Sequence, residues 1–238
     1  MLGQILGLRG VKCLLRSTVG GVLLLAAGCG RGSGTTSNTD PAQTTAPPLI
    51  GATTAALAPT TAPASRQPRG KVDEAVLKRA TLVLNDLTPG FAEDPPSADE
   101  EKSASGVCGN PTVSSRVPYA SLVVVRFSKG TVGPLLQERL ASFQDVATAQ
   151  KYVATVRTDA TCQTFRREAE EFKLAPLNVG SLGEETVAYR ISGRAAIDVA
   201  YVRLGSVVVQ VIQAGLVTDS DITLAAVTKA TQKAMAIP

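Results

Sequence analysis

The sequence of 238 residues lacks two residue types altogether, because it contains no histidine and no tryptophan. Histidine is the general base of Ser-His-Asp and Cys-His catalytic sites, so neither kind of site can be built from this chain. Histidine is also the commonest metal ligand, and zinc sites use it often. Carboxylates therefore remain as the candidates for catalysis.

Two groups of carboxylates lack the arrangement that catalysis or metal binding needs. Glu168, Glu170 and Glu171 lie close together, but adjacent side chains on a strand point to opposite faces of a sheet, which does not make an acid–base pair. The acidic stretch 91–107 differs in spacing from an EF-hand calcium loop and is interrupted by two prolines, so we interpret it as a solvated loop. We predict that the protein is not an enzyme and has no metal site and no cofactor.

A strong excess of basic residues is also missing. The chain has 24 Lys and Arg against 20 Asp and Glu. Three of the basic residues, Arg9, Lys12 and Arg16, lie in the segment before Cys29, so the rest of the chain carries 21 basic against 20 acidic residues. A nucleic-acid-binding domain shows a clear basic excess, so we expect no nucleic-acid partner.

A short apolar run, Val22-Leu23-Leu24-Leu25-Ala26-Ala27-Gly28, stands directly before Cys29 and ends in small residues. Basic residues, an apolar run and small residues in this order are typical of a secretory signal peptide, here of the bacterial lipoprotein type. A membrane-spanning helix needs about 20 apolar residues, which is longer than this run. We predict cleavage before Cys29 and attachment of the lipid, with palmitate, to its thiol. The protein would then be anchored to the extracytoplasmic face of the cell membrane.

Composition divides the chain into three parts. Residues 1–28 form the predicted signal peptide. Residues 29–70 comprise the lipidated cysteine and a tether rich in Thr, Pro and Ala, a composition that does not fold into a core. Residues 71–238 have the apolar content and the length of one extracellular domain.

Only two cysteines fall in the predicted domain, Cys108 and Cys162. In an exported protein the simplest interpretation is one disulfide between them. The alternative is two separate thiols, one of them reactive.

Hydrophobic periodicity predicts strands with three helices between and around them. The helices are expected over 71–87, 145–158 and 222–235, and the strands over 119–127, 135–143, 162–165, 171–179, 185–192 and in a hairpin over 196–213. This order predicts the α+β class. We expect an antiparallel sheet of about five to seven strands, with helices packed on one face and one disulfide.

Three arginines are the candidate ligand-binding residues. Arg190, Arg194 and Arg203 could line an anion-binding cleft. The alternative is that they pair with nearby acids or face water.

The predicted domain, over roughly 72–236, resembles the extracellular sensor domain of mycobacterial PknH-type membrane kinases, within what looks like an actinobacterial lipoprotein. The matching features are Leu87-Thr88-Pro89-Gly90-Phe91, Cys108, a strand into Phe143, a helix from Asp145 that carries Ala149, Cys162, the hairpin at Arg203-Leu204-Gly205-Ser206 and a terminal helix. The resemblance implies an α+β domain with a cleft for an unidentified small ligand outside the cell.

Two hypotheses for function follow. The first is a non-catalytic, sensor-like domain that binds a small molecule or lipid in a concave pocket. The second is an envelope scaffold that presents an exposed apolar patch to a protein partner.

Overall fold

The computed structural model describes residues 67–95, 106–130, 133–167 and 169–238. Cys29, the predicted signal peptide and most of the predicted tether lie outside these residues. The described residues form four α-helices: α1 Glu74–Arg79, α2 Val113–Arg116, α3 Val146–Asp159 and α4 Ser220–Ala234, with a 3-10 helix at Leu84–Asp86. They also form eight strands: β1 Ala92–Glu93, β2 Ser121–Ser128, β3 Leu135–Ser142, β4 Thr164–Arg167, β5 Glu170–Pro176, β6 Glu185–Ser192, β7 Ala196–Leu204 and β8 Val207–Gly215.

The strands make one antiparallel sheet in the order β1-β2-β3-β8-β7-β6-β5-β4. The expected count of five to seven strands is wrong, because the sheet has eight. The strand that the sequence pattern did not predict is β1, in the stretch interpreted as a loop. It has two exposed residues, which pair with Phe127 and Ser128 of β2. A strand of this length has no periodicity that a sequence pattern could reveal.

Helices cover both faces of the sheet, so the expectation of helices on one face is also wrong. One core joins α1 and α4 to the sheet and contains Leu77, Leu140, Val209 and Val227. The other joins α3 to the opposite face and contains Phe143, Val153, Val199 and Val208. Adjacent residues of the central strand β8 belong to different cores. A strand that is apolar on both faces must be covered on both.

The hairpin β7–β8 is the best-predicted part of the fold. Its arms pair from Leu204–Val207 to Ala196–Gly215, which confirms the predicted hairpin. The two turn residues are Gly205 and Ser206, and Gly205 has a φ of 59°, a left-handed conformation that suits glycine in a two-residue hairpin turn.

The first described residues are bound to this turn. The carbonyl oxygen of Pro68 accepts hydrogen bonds from Ser206 N at 2.8 Å and Ser206 Oγ at 3.1 Å. A Cβ atom on Gly205 would lie 2.0 Å from the same oxygen, so a glycine is needed for this close approach. The segment 67–70 is therefore attached to the sheet at the turn between its two central strands.

No helix within the described ranges is both long enough and apolar enough to cross a membrane.

Candidate ligand-binding cleft

A cleft of about 190 Å³ lies on the face of the sheet that α3 covers. Side chains of β2, β3, β6, β7 and β8 form its floor, and α3 forms one wall. The opposite wall consists of Gly106, Val107 and the start of α2. A second cavity, of about 230 Å³, is lined only by residues of 177–188. We regard the α3 cleft as the better site, because several elements enclose it and aromatic rings line it, as is usual for small-molecule pockets.

Three tyrosines from three elements meet in the cleft: Tyr152 from α3, Tyr189 from β6 and Tyr201 from β7. The ring of Tyr201 lies 6.3 Å from each of the other two, centroid to centroid, which is within the range of favourable aromatic pairs. Gln210 Nε2 donates a hydrogen bond to Tyr201 Oη at 2.8 Å. The cluster is therefore both packed and hydrogen-bonded.

The three phenols are neutral at physiological pH. Burial raises the pKa of Tyr189 to about 12 and raises the pKa values of Tyr152 and Tyr201 well above the ordinary value for tyrosine. The positive charge of Arg139 opposes this rise at Tyr152 and at Tyr201. Arg139 lines the same cleft as the three rings.

Three arginines also line the cleft, and they differ in how their charge is used. Arg126 forms an ion pair with Asp94, with 3.1 Å between Nη2 and Oδ1. Arg167 Nη2 donates to the carbonyl oxygen of Gly106 at 2.6 Å. Arg139, from the middle of β3, forms no hydrogen bond and no ion pair with any residue in the described ranges. It is the cation in the cleft that is available to a ligand.

One carboxylate is found among the described residues that line the cleft, and it is already paired. Asp159, at the end of α3, is buried and forms an ion pair with Arg116 of α2. It does not neutralise Arg139, and its pairing makes it a poor general base. The charges of the described residues that line the cleft are therefore predominantly positive.

A disulfide between Cys108 and Cys162 joins the loop wall to the connection between α3 and β4, with 5.9 Å between the Cα atoms. This confirms the predicted disulfide and excludes the alternative of two free thiols. The bond lies beside Gly106 and Val107, which line the cleft. Together with the Arg116–Asp159 pair, it fixes the position of this wall.

The arginines predicted from the sequence occupy different places. Arg190 forms a bidentate ion pair with Asp198, with 2.6 Å between Nε and Oδ1 and 2.7 Å between Nη2 and Oδ2. This hydrogen bonding raises the pKa of Arg190. Arg203 is buried and pairs with Glu184 and Glu185. The structure does not bring these arginines together, because Arg190 and Arg203 lie on opposite faces of the sheet.

Arg194 lies in the turn between β6 and β7, at the end of the hairpin opposite to Arg203. Its backbone N–H donates to Glu170 Oε1 at 2.8 Å, and the residue is exposed. None of the three predicted arginines is among the described residues that line the cleft.

The fold is similar to that of the extracellular domain of PknH from Mycobacterium tuberculosis. The TM-score is 0.53 and the sequence identity 15%, over 70% of this chain and 98% of the PknH domain. This confirms the predicted resemblance at the level of the fold. No protein-family model matches the chain, and a search of curated proteins finds no match either.

A polar row along β3 is the signal that could have identified the cleft. Gln137 and Arg139 alternate with Leu136, Glu138 and Leu140, so they lie on the opposite face of the strand. The row continues onto the neighbouring strands, since Gln137 pairs with Arg126 and Arg139 pairs with Gln210. Polar residues along one face of adjacent strands indicate a solvated or ligand-binding face, but the pairing of the strands must be known to see them together.

Proposed function

We propose that this protein is a lipid-anchored, extracytoplasmic lipoprotein whose domain binds a small molecule in the α3 cleft without catalysis. The observation that carries this proposal is a cleft with three buried, neutral tyrosines and one arginine that has no partner among the described residues. The lining combines aromatic and aliphatic side chains with polar and charged ones, and small-molecule sites use such polar groups to fix the orientation of a ligand. The similarity to a kinase extracellular domain supports a location outside the cytoplasm.

Native mass spectrometry on the full chain, purified from the membrane of its own cells, tests the binding proposal. We expect a retained small molecule, because a cleft of about 190 Å³ compares with the cavity of roughly 150 Å³ that holds benzene in an engineered protein. Tyr201→Ala should remove the retained mass, whereas Tyr119→Ala, which does not line the cleft, should keep it. The proposal is contradicted if the purified protein carries no small molecule and if no envelope extract raises its stability.

The alternative function is an envelope scaffold, which one feature favours. Leu216 and Val217, between β8 and α4, are 76% and 79% exposed. Two adjacent apolar side chains in water are a possible contact for a protein partner. Crosslinking in cells that captures one dominant protein, and loses it in the double variant Leu216→Ser and Val217→Ser, would favour this alternative.

The predicted membrane anchor is tested by removing the lipidated residue, Cys29. In the variant Cys29→Ala the thiol that takes the lipid is absent, so we expect the protein in the soluble fraction or as uncleaved precursor. Cell fractionation and the mass of the chain measure both outcomes. Cys13→Ala is the matched control and should leave the protein mature and membrane-bound. The signal-peptide interpretation is wrong if the Cys29 variant is also mature and membrane-bound.

A further inference from the structure

We propose that the ligand of the α3 cleft carries a compact anionic group, a carboxylate or a phosphate, that pairs with Arg139. The remainder of the ligand, about one ring in size, packs against the tyrosines. This inference rests on the proposed function and names the chemical class of the ligand.

The first argument is that the charge of Arg139 has no compensation from its neighbours. On the strands to either side, Arg139 pairs with Val124 and Gln210, and both are uncharged. The next positions on its own face of β3 are Gln137 and Ala141, which are uncharged as well. A half-buried charge without a counter-ion is costly, because it has lost part of its hydration and has gained no ion pair.

The other charged groups that line the cleft do not offset the positive charge of Arg139. Arg126 and Arg167 are cationic, and each already has a protein acceptor. Asp159 is balanced by Arg116. Among the described residues, the cleft therefore presents one uncompensated cation, and a ligand with one anionic group would neutralise it.

The second argument concerns the donors beside Arg139. Tyr152 keeps its proton, because its pKa is raised, and its hydroxyl forms no hydrogen bond with another residue of the described ranges. A neutral phenol can donate to an anion. Arg139 and Tyr152 line the same cleft, and the charge of Arg139 acts on the Tyr152 hydroxyl. A guanidinium and a phenol in one cleft suit a carboxylate or phosphate, since hydrogen bonds to charged groups are stronger than those between neutral groups.

The third argument concerns the rest of the ligand. Ile197, Val199 and Ile212 line the floor of the cleft, and the rings of Tyr189 and Tyr201 lie beside them. Such a surface offers dispersion contacts and stacking rather than hydrogen bonds. The cleft therefore favours an anion with an apolar or aromatic part over a free inorganic ion.

Calorimetric titration of the full chain with benzoate tests this inference, with benzamide as the uncharged control of the same shape. We expect benzoate to bind more tightly than benzamide. In the variant Arg139→Gln, benzoate binding should weaken by at least about tenfold, while benzamide binding stays the same, because a charge-assisted hydrogen bond is lost. Arg194→Gln is the matched control, since it removes an exposed arginine outside the cleft, and it should leave both affinities unchanged.

A structural role for Arg139 predicts a different result. If Arg139 only stabilised the fold, Arg139→Gln would lower the melting temperature of the empty protein. We expect this temperature to stay the same or to rise, because an uncompensated charge is removed. Equal losses of benzoate affinity in the Arg139 and Arg194 variants would overturn the inference.

Native mass spectrometry separates failure of this inference from failure of the proposed function. A retained small carboxylic acid or small organic phosphate supports both. A retained neutral compound leaves the proposed function standing and overturns the assignment of an anion. Both are overturned if the protein retains no molecule, if no envelope extract raises its stability and if benzoate does not bind.

Discussion

Replacing Cys108 and Cys162 with alanine should lower the free energy of unfolding by roughly 4 kcal/mol. The bridge spans 54 residues of sequence, and in the chain-entropy model a closed loop of this length destabilises the unfolded state by about that amount. The measurement is equilibrium unfolding in urea, evaluated for two-state behaviour. A loss below about 1 kcal/mol would mean that the reduced chain keeps its unfolded state compact without the bond.

The same double variant should also weaken binding in the cleft. The disulfide is next to Gly106 and Val107, so its loss frees one wall. The Arg116–Asp159 ion pair and the hydrogen bond from Arg167 to Gly106 remain, so the wall should loosen rather than detach. Wild-type protein treated with a reductant is the control, because it breaks the bond without changing side-chain volume, and the two should agree. Full binding in both samples would show that the wall does not need the bond.

Stability should fall by about 3 kcal/mol as pH rises from about 4.5 to about 7, because of a single buried carboxyl, Glu138. Glu138 is fully buried under α1 and α4, and one of its oxygens has no hydrogen-bond partner among the described residues. The other, Oε2, accepts from Leu82 N at 2.6 Å. Burial raises its pKa from 4.5 to about 7, although the bond from Leu82 and the charge of Lys233 oppose the rise.

The direction of this effect follows from where the proton is held. Between pH 4.5 and 7 the folded protein keeps a proton on Glu138 that the unfolded chain releases. The stabilisation is therefore complete below the unfolded pKa and is lost as pH rises through the folded pKa. The pKa of Asp86 is lowered: burial raises it, but hydrogen bonds from Lys233 and Val83 outweigh that rise. The contribution of Asp86 to stability is lost only at more acidic pH, so it does not obscure the fall in stability that Glu138 causes between pH 4.5 and 7.

The variant Glu138→Gln should remove this slope, because the amide is uncharged at every pH in the range. Urea unfolding at a series of pH values measures it, and at pH 8 the variant should be the more stable protein. Glu171→Gln, at an exposed position on β5, is the control and should keep the wild-type slope. An unchanged slope in the Glu138 variant would assign the pH dependence to another group.

Local signals in the sequence predicted individual elements well. The helix expected from Asp145 is present, and the carboxylate of Asp145 accepts a hydrogen bond from Thr148 N at 2.7 Å at the start of α3. The strand at 185–192 and the hairpin around Gly205 also have the expected form. These features depend on contacts between residues close in the chain, so a pattern of a few residues contains the necessary information.

The first helix shows where local signals fail. Its periodicity predicts a helix over 71–87, whereas α1 ends at Arg79. Beyond that point the N–H of Leu82 donates to the buried carboxylate of Glu138 rather than to a carbonyl four residues earlier. This partner is 56 residues away in the chain, and tertiary contacts of this kind override helix propensity.

The sequence by itself indicated an α+β fold and the central hairpin, and it made one disulfide between Cys108 and Cys162 the simplest interpretation. Composition and short-range periodicity specify each of these. Only the tertiary structure decided that helices cover both faces, that a short eighth strand extends the sheet beyond β2, and that Arg139 lines the same cleft as the three tyrosines. The residues of the cleft come from distant positions in the sequence, and strand register brings them onto one face.

Arg190 and Arg203 were equally plausible ligand-binding residues from the sequence, but their cross-strand neighbours, Asp198 and Glu185, neutralise them. Which arginine stays unpaired depends on that register, because an ion pair forms only between side chains that the folded sheet places opposite one another.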